Sequence, residues 1–270
     1  MRYAIRLGLS FVTLAYLAVP ALAGPPFLTD DPQPVDYQHN EFYIFSTTDQ
    51  TPDGNQYQLP AFEYNRGILP DVQFHIVIPY VQIEPKEGTS RQGLGDTEVG
   101  IKYRFVQETD SRPQIGIFPM VEFATGDHDK GLGNGQDWYR MPVWLQKSWG
   151  PWTTYGGAGY AFNSAPGQED YPFAGWLLQR EISKTLTLGG EVYYRDADTQ
   201  DGKYTAILNV GGYYNFTEDF SLLFSGGGNF AGETHSVGYL GLYWTWGGEE
   251  PAKEEAHPTI PATQKMLEHG

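Results

Sequence analysis

Thr97-Glu-Val-Gly-Ile-Lys-Tyr-Arg-Phe105 decides the fold, because its side chains sort by twos. Thr97, Val99, Ile101, Tyr103 and Phe105 fall on one face of a strand, and Glu98, Gly100, Lys102 and Arg104 fall on the other. Helical spacing would scatter both sets. The same alternation sets Val72, Phe74, Ile76, Ile78 and Tyr80 against Gln73, His75, Val77 and Pro79. It sets Leu186, Leu188, Val192 and Tyr194 against Thr187, Glu191, Tyr193 and Arg195, and Ala206, Leu208, Val210, Tyr214 and Phe216 against Thr205, Asn209, Tyr213 and Asn215. Fainter copies lie at Glu41 to Thr47, Leu59 to Arg66, Ile115 to Ala124, Tyr139 to Trp149, Trp152 to Phe162, Pro172 to Ile182, Phe220 to Phe230 and Val237 to Trp246. These make about twelve strands, with no convincing helix after residue 23. The pattern predicts an all-β chain, a transmembrane antiparallel up-and-down β-barrel.

Connection lengths and aromatics point the same way. Long polar joins at Thr48 to Tyr57, Gln82 to Asp96, Gly126 to Asp137, Ser164 to Asp170 and Asp196 to Lys203 take turns with short ones at Gly67 to Asp71, Gln107 to Arg112, Gly150-Pro151, Ser183-Lys184 and Thr217 to Asp219. Outer-membrane barrels alternate long outside loops with short periplasmic turns in this way. On the apolar faces, Tyr80, Tyr139, Tyr160 and Tyr194 fall beside long loops. Tyr103, Phe105, Trp149, Trp152, Tyr214, Phe216, Trp244 and Trp246 fall at the other ends. Two aromatic girdles at the membrane interfaces are expected from that sorting. A secreted two-sheet protein would share the alternation but has no reason to sort its aromatics.

Composition narrows the rest. The chain has 270 residues, no cysteine and a net charge of −16. That rules out a disulfide scaffold or thiolate site, and makes nucleic acid an unfavourable partner. No metal or other cofactor is expected. Arg2 and Arg6 ahead of the apolar run Leu7 to Val19, then Pro20 and Ala21-Leu-Ala23, read as a cleaved secretory signal. The expected organisation is therefore a signal peptide over 1–23, an extended Pro-rich lead over 24–39, the barrel over 40–246 and a disordered acidic periplasmic tail over 247–270. The last strand, with Gly241 before Trp244 and Trp246, resembles the terminal signal read by the barrel assembly machinery, although the tail follows it. Outer-membrane lipid and lipopolysaccharide are the expected surroundings.

If the apolar faces meet lipid, the lumen holds Glu63, His75, Glu98, Lys102, Arg104, Glu122, Arg140, Glu181, Glu191 and Arg195. Charges of both signs could form a polar constriction crossed by a solute, or a ladder of salt bridges that fills a narrow barrel. The bases are expected to pair with the acids on neighbouring strands, with Arg104 and Arg140 sharing Glu122. His75 and Ser225 have compatible facing for an outer-membrane lipid hydrolase, but no nucleophile-turn sequence accompanies them. Asp127-His-Asp129 and Asp196-Ala-Asp198-Thr-Gln-Asp201 could hold calcium weakly, yet neither has the glutamate that closes a calcium-binding EF-hand loop.

Gly93-Leu-Gly-Asp96 leading into Gly100-Ile-Lys-Tyr-Arg-Phe105, Ala124-Thr-Gly-Asp127, and Gly131-Leu-Gly-Asn-Gly135 carry a resemblance. So do Gly24-Pro-Pro-Phe-Leu-Thr-Asp-Asp-Pro32 and Pro142-Val-Trp-Leu-Gln-Lys-Ser-Trp149. Over most of 24–246 the chain resembles the family of outer-membrane proteins assigned to the phenol meta-pathway, often called simply transporters. The resemblance implies a barrel and passage of small organic, in some cases aromatic, solutes, with no catalytic position to carry over. The expected function is a passive outer-membrane channel. The alternatives are a structural or adhesive barrel and, third, the lipid hydrolase. Solute identity, pore state, oligomeric state and whether the lead enters the lumen are left open by the sequence.

Overall fold

The computed structural model describes residues 26–248; the signal over 1–23 and nearly all of the acidic tail lie outside the described residues. Twelve antiparallel strands follow one another around a closed wall. They are β1 (His39–Thr51), β2 (Gly54–Leu69), β3 (Val72–Pro85), β4 (Arg91–Leu94 and Thr97–Val106), β5 (Gln114–Ile117 and Met120–Phe123), β6 (Trp138–Trp149), β7 (Trp152–Phe162), β8 (Tyr171–Ser183), β9 (Leu186–Arg195), β10 (Thr205–Asn215), β11 (Phe220–Gly232) and β12 (Ser236–Gly247). Both pieces of β4 pair with β3, and both pieces of β5 pair with β4 and β6. The break in β5 falls at Phe118-Pro119, where proline has no N–H to give to a ladder. β1 closes onto β12 from His39↔Gly247 to Gln50↔Ser236, so the end strands cover each other's edges. A closed ladder is what a bilayer requires, since lipid cannot satisfy free backbone groups.

The period of two then fixes what each face meets. Ile78, Ile101, Val143, Leu178, Leu208 and Val210 stand exposed on the outside, Val210 at 60%, while their chain neighbours turn inward. In water so much exposed aliphatic surface would be unstable; against lipid it is the favourable arrangement. Tyr103, Phe105, Tyr139, Trp149, Tyr160, Tyr194, Tyr214, Phe216 and Trp246 are exposed on this face. Tyr80, Trp152 and Trp244 share the outward phase and are half-buried. Trp152 lies under the guanidinium of Arg180, and Trp244 stacks on Phe220.

Two of the expected loops are wall instead. β1 runs to Thr51 and β2 starts at Gly54, so Thr48 to Tyr57 is a tight hairpin, and β3 continues through Gln82 to Pro85. Here polar residues occupy both faces, which hides a period of two, yet Gln56, Gln58 and Ile83 still alternate inward. Strands that project past an apolar belt can stay paired without apolar partners outside.

Arginine at position 101 should destabilise the folded barrel by roughly 2–4 kcal/mol if the residue lies near the bilayer midplane. A further arginine at Lys102, one position along and inward, should change it far less. Urea midpoints in lipid vesicles check this, and equal tolerance at the two positions would refute the facing.

Candidate functional site

The inner wall is more aromatic than its sequence suggests. Phe118, Met120, Trp138, Trp144, Tyr171 and Phe173 pack together on one side. Tyr43, Phe45, Ala61, Val77, Leu223 and Tyr239 pack on the other. The signal for this was present as adjacent aromatic pairs, Trp138-Tyr139, Tyr193-Tyr194, Tyr213-Tyr214 and Tyr243-Trp244. In a strand, one member of each pair must face the lumen.

Between these clusters runs the N-terminal lead. It enters at the end bearing the short turns, where Tyr37 bridges to Gly67 and the Gln38 N–H donates to the Gly67 carbonyl. It then rises to mid-height. The side-chain carbonyl of Gln73 accepts the Val35 N–H at 2.9 Å. Lys102 Nζ reaches Asp30 at 3.0 Å and Asp31 at 3.8 Å. The two oxygens of Glu191 accept the N–H groups of Leu28 and Thr29, each at 2.8 Å. Ser225 donates to the Pro26 carbonyl. Phe27 packs on Tyr155 and Leu177, and Leu28 on Ile207 and Val237. Those partners come from strands on every side of the barrel.

The wall makes room for this crossing. A Cβ on Gly67 would overlap the Asp36 carbonyl, one on Gly116 would press on Pro32, and one on Gly175 would overlap the Thr29 hydroxyl. Side chains there would occupy the lane that the lead takes.

The charged residues pair differently from expectation. Arg140 binds Glu98, which also meets His75 Nε2 at 3.0 Å. His75 Nδ1 lies 2.7 Å from Asn65 and 3.5 Å from Glu63, so four strands share one buried polar chain. The expected sharing of Glu122 by Arg104 and Arg140 does not occur. Arg104 turns to Asp71 in the adjoining turn, at 2.6 Å, and Glu122 takes a hydrogen bond from Trp138. Lys102 and Glu191, expected to pair across neighbouring strands, are both spent on the lead. Arg195 pairs with Asp198 in its own loop, at 3.0 Å. Glu181 keeps the inward phase but stands exposed at the short-turn end, outside the buried chain.

Below the lead lies a cavity of about 550 Å³, open among Glu41, Tyr43, Glu63, Lys102, Tyr155 and Tyr243. Glu41 accepts from Tyr243 at 2.9 Å and Tyr43 at 3.0 Å, which fixes those rings. At the other end the loops fold over the mouth. Leu132 packs on Val81 and Ile83 of the inner wall, and Asp96 accepts the N–H groups of Gly126 and Asn134. The loops that suggested calcium are otherwise engaged. Asp127 caps the short helix His128–Lys130, and its carboxylate is held below the usual range by a hydrogen bond from Lys130. Asp198 is taken by Arg195.

His75 and Ser225 do not pair with each other. His75 is held by Asn65 and Glu98, while Ser225 is committed to Pro26. Sequence facing had allowed the pair; in the barrel each side chain is bonded to other residues.

The model of the family described as "Putative MetA-pathway of phenol degradation" matches residues 55–245. Among solved structures, the COG4313 outer membrane channel from Pseudomonas putida F1 superposes with a TM-score of 0.63 at 13% identity, over 80% of this chain and 98% of that one. The NanC porin gives 0.54 at 9% identity, over 75% and 98%. The translocator domain of the autotransporter NalP from Neisseria meningitidis gives 0.51 at 9% identity, over 77% and 89%. At these identities the likeness is one of fold. Among curated protein sequences none matches.

Proposed function

The chain belongs to the phenol-degradation MetA-pathway family, and from that premise we propose that it is an outer-membrane channel for passive entry of small organic solutes, with the short turns in the periplasm. One observation carries the reading: the lane through the barrel is filled by a separate segment of chain, not by the wall. A barrel whose only task is structural can fill so narrow a lumen with its own side chains. Here Gly67, Gly116 and Gly175 leave space, and the lead that takes it, beyond the packing of Phe27 and Leu28, is held by hydrogen bonds to Gln73, Lys102, Glu191 and Ser225. Such contacts exchange readily with water once the segment moves. The aromatic inner wall supplies apolar faces along the same route, which suits solutes that combine a ring with polar groups.

Vesicles containing the purified barrel should admit small sugars and hydroxylated aromatics faster than empty vesicles do. Absence of flux from the parent and from variants with a displaced lead would favour the structural or adhesive alternative. Protease added to intact cells tests the orientation: cleavage in the turn after Leu69 while the 126–137 loop stays whole would reverse it.

A further inference from the structure

The charged lining of the cavity beneath the lead is mostly acidic. Asp30, Asp31, Asp36, Glu41 and Glu63 all line it, against one lysine, Lys102, which Asp30 and Asp31 already engage. His39 and His75 also border it, and His75 is spent on Asn65 and Glu98.

A group of acids is not yet a site, but two further atoms point to a ligand. Asp30 is 2% exposed, and its Oδ2 has no hydrogen-bond partner; Oε1 of the half-buried Gln179, which borders the same cavity, also lacks a partner. Both unpartnered atoms are acceptors. Other orphaned groups in the barrel, such as the indole N–H of Trp144, are not among the residues bordering this cavity. A buried acceptor without a donor is costly, so the site is incomplete as it stands. Tyr43, Tyr155, Tyr213, Tyr243 and Phe118 add ring faces around it. Rings attract cations and flat apolar groups.

We propose that this cavity is a binding site for small organic cations bearing N–H donors, aromatic amines and amidines above all. The proposal rests on the channel reading and narrows its solute class: carboxylate-rich lining and orphan acceptors favour a cation over the neutral or anionic relative of the same shape. Three of the five acids, Asp30, Asp31 and Asp36, lie on the lead, so the segment that fills the lane also carries most of its selectivity.

The test uses benzamidine, benzamide and benzoate, which share a ring and differ in charge, titrated calorimetrically into the full barrel in detergent. Benzamidine should bind at least about tenfold more tightly than benzamide, and benzoate should give no measurable heat. Asp31→Asn combined with Asp36→Asn should lower benzamidine affinity severalfold at little cost in thermal stability, because Asp31 meets Lys102 only at 3.8 Å while Asp30 keeps its closer contact at 3.0 Å. If that variant unfolds, Glu41→Gln takes its place and should lower benzamidine affinity likewise. Equal binding of the three compounds, preference for benzoate, or undiminished affinity in the folded variant would overturn the proposal. Binding in detergent needs no passage. Intact benzamidine binding without vesicle flux would therefore refute the channel and leave the site standing, whereas flux without cation preference would do the reverse.

Discussion

A barrel carrying Gly175→Val should conduct markedly more than the parent, with its wall unchanged. Gly175 pairs with Gly157 and Tyr193 in the ladder, and its inward face abuts the Thr29 hydroxyl so closely that any Cβ displaces it. Thr29 is fully buried, so the segment has nowhere to retreat except out of its lane. Moving it breaks the two N–H bonds to Glu191, each worth about 1.5–3 kcal/mol because the acceptor is charged. A loss of about 4 kcal/mol shifts the seated population by roughly a thousandfold. Glu191→Gln reaches the same end by another route, since an amide offers one acceptor where two donors converge. Single-channel recordings should show longer or larger openings in both variants, while the strand content of the folded wall, read by circular dichroism, stays that of the parent for Gly175→Val. Parental conductance in both would show that the lead does not obstruct the path.

Much of the wall could be read from residues alone, and the reason is mechanical. A strand with lipid on one side and a lumen on the other must alternate, so Thr97 to Phe105 announces both its conformation and its facing. The same logic fails where both sides are wet, as in the Thr48 to Tyr57 hairpin, and where both are aromatic, as at Tyr213-Tyr214. Facing is a local property; partnership is not. Lys102 was legible as an inward base, but its partner Asp30 lies 72 residues away, and the partners of Glu191 lie 162 and 163 residues away. No strand register connects them, because the lead is not a strand. Its Phe27 and Leu28 were the available hint. A solvated linker has no use for two large apolar residues between prolines, and here both are buried in the lumen.

The second large effect belongs to Arg140. Met120 lies opposite Arg140 on one side and opposite Gly100 on the other, and Glu98 stands one inward position along from that glycine. The guanidinium therefore reaches across two strand spacings to its acid, past Met120, whose side chain lies over Gly100. Glu98 is 3% exposed and Arg140 is 6% exposed, so neither can turn to water. Arg140→Ala should cost about 3–5 kcal/mol, the usual consequence of leaving a buried charge without its counterion. Most of that loss should come from stranding Glu98, not from the attraction forgone. Glu98→Gln placed in the Arg140→Ala background should then recover a large part of the stability, since a neutral amide can still accept from His75 without a buried charge. Urea midpoints for the four members of this cycle give the coupling directly. Additive losses in the double variant would mean that the two side chains act independently, and that the chain from Glu63 through His75 to Arg140 is not one network.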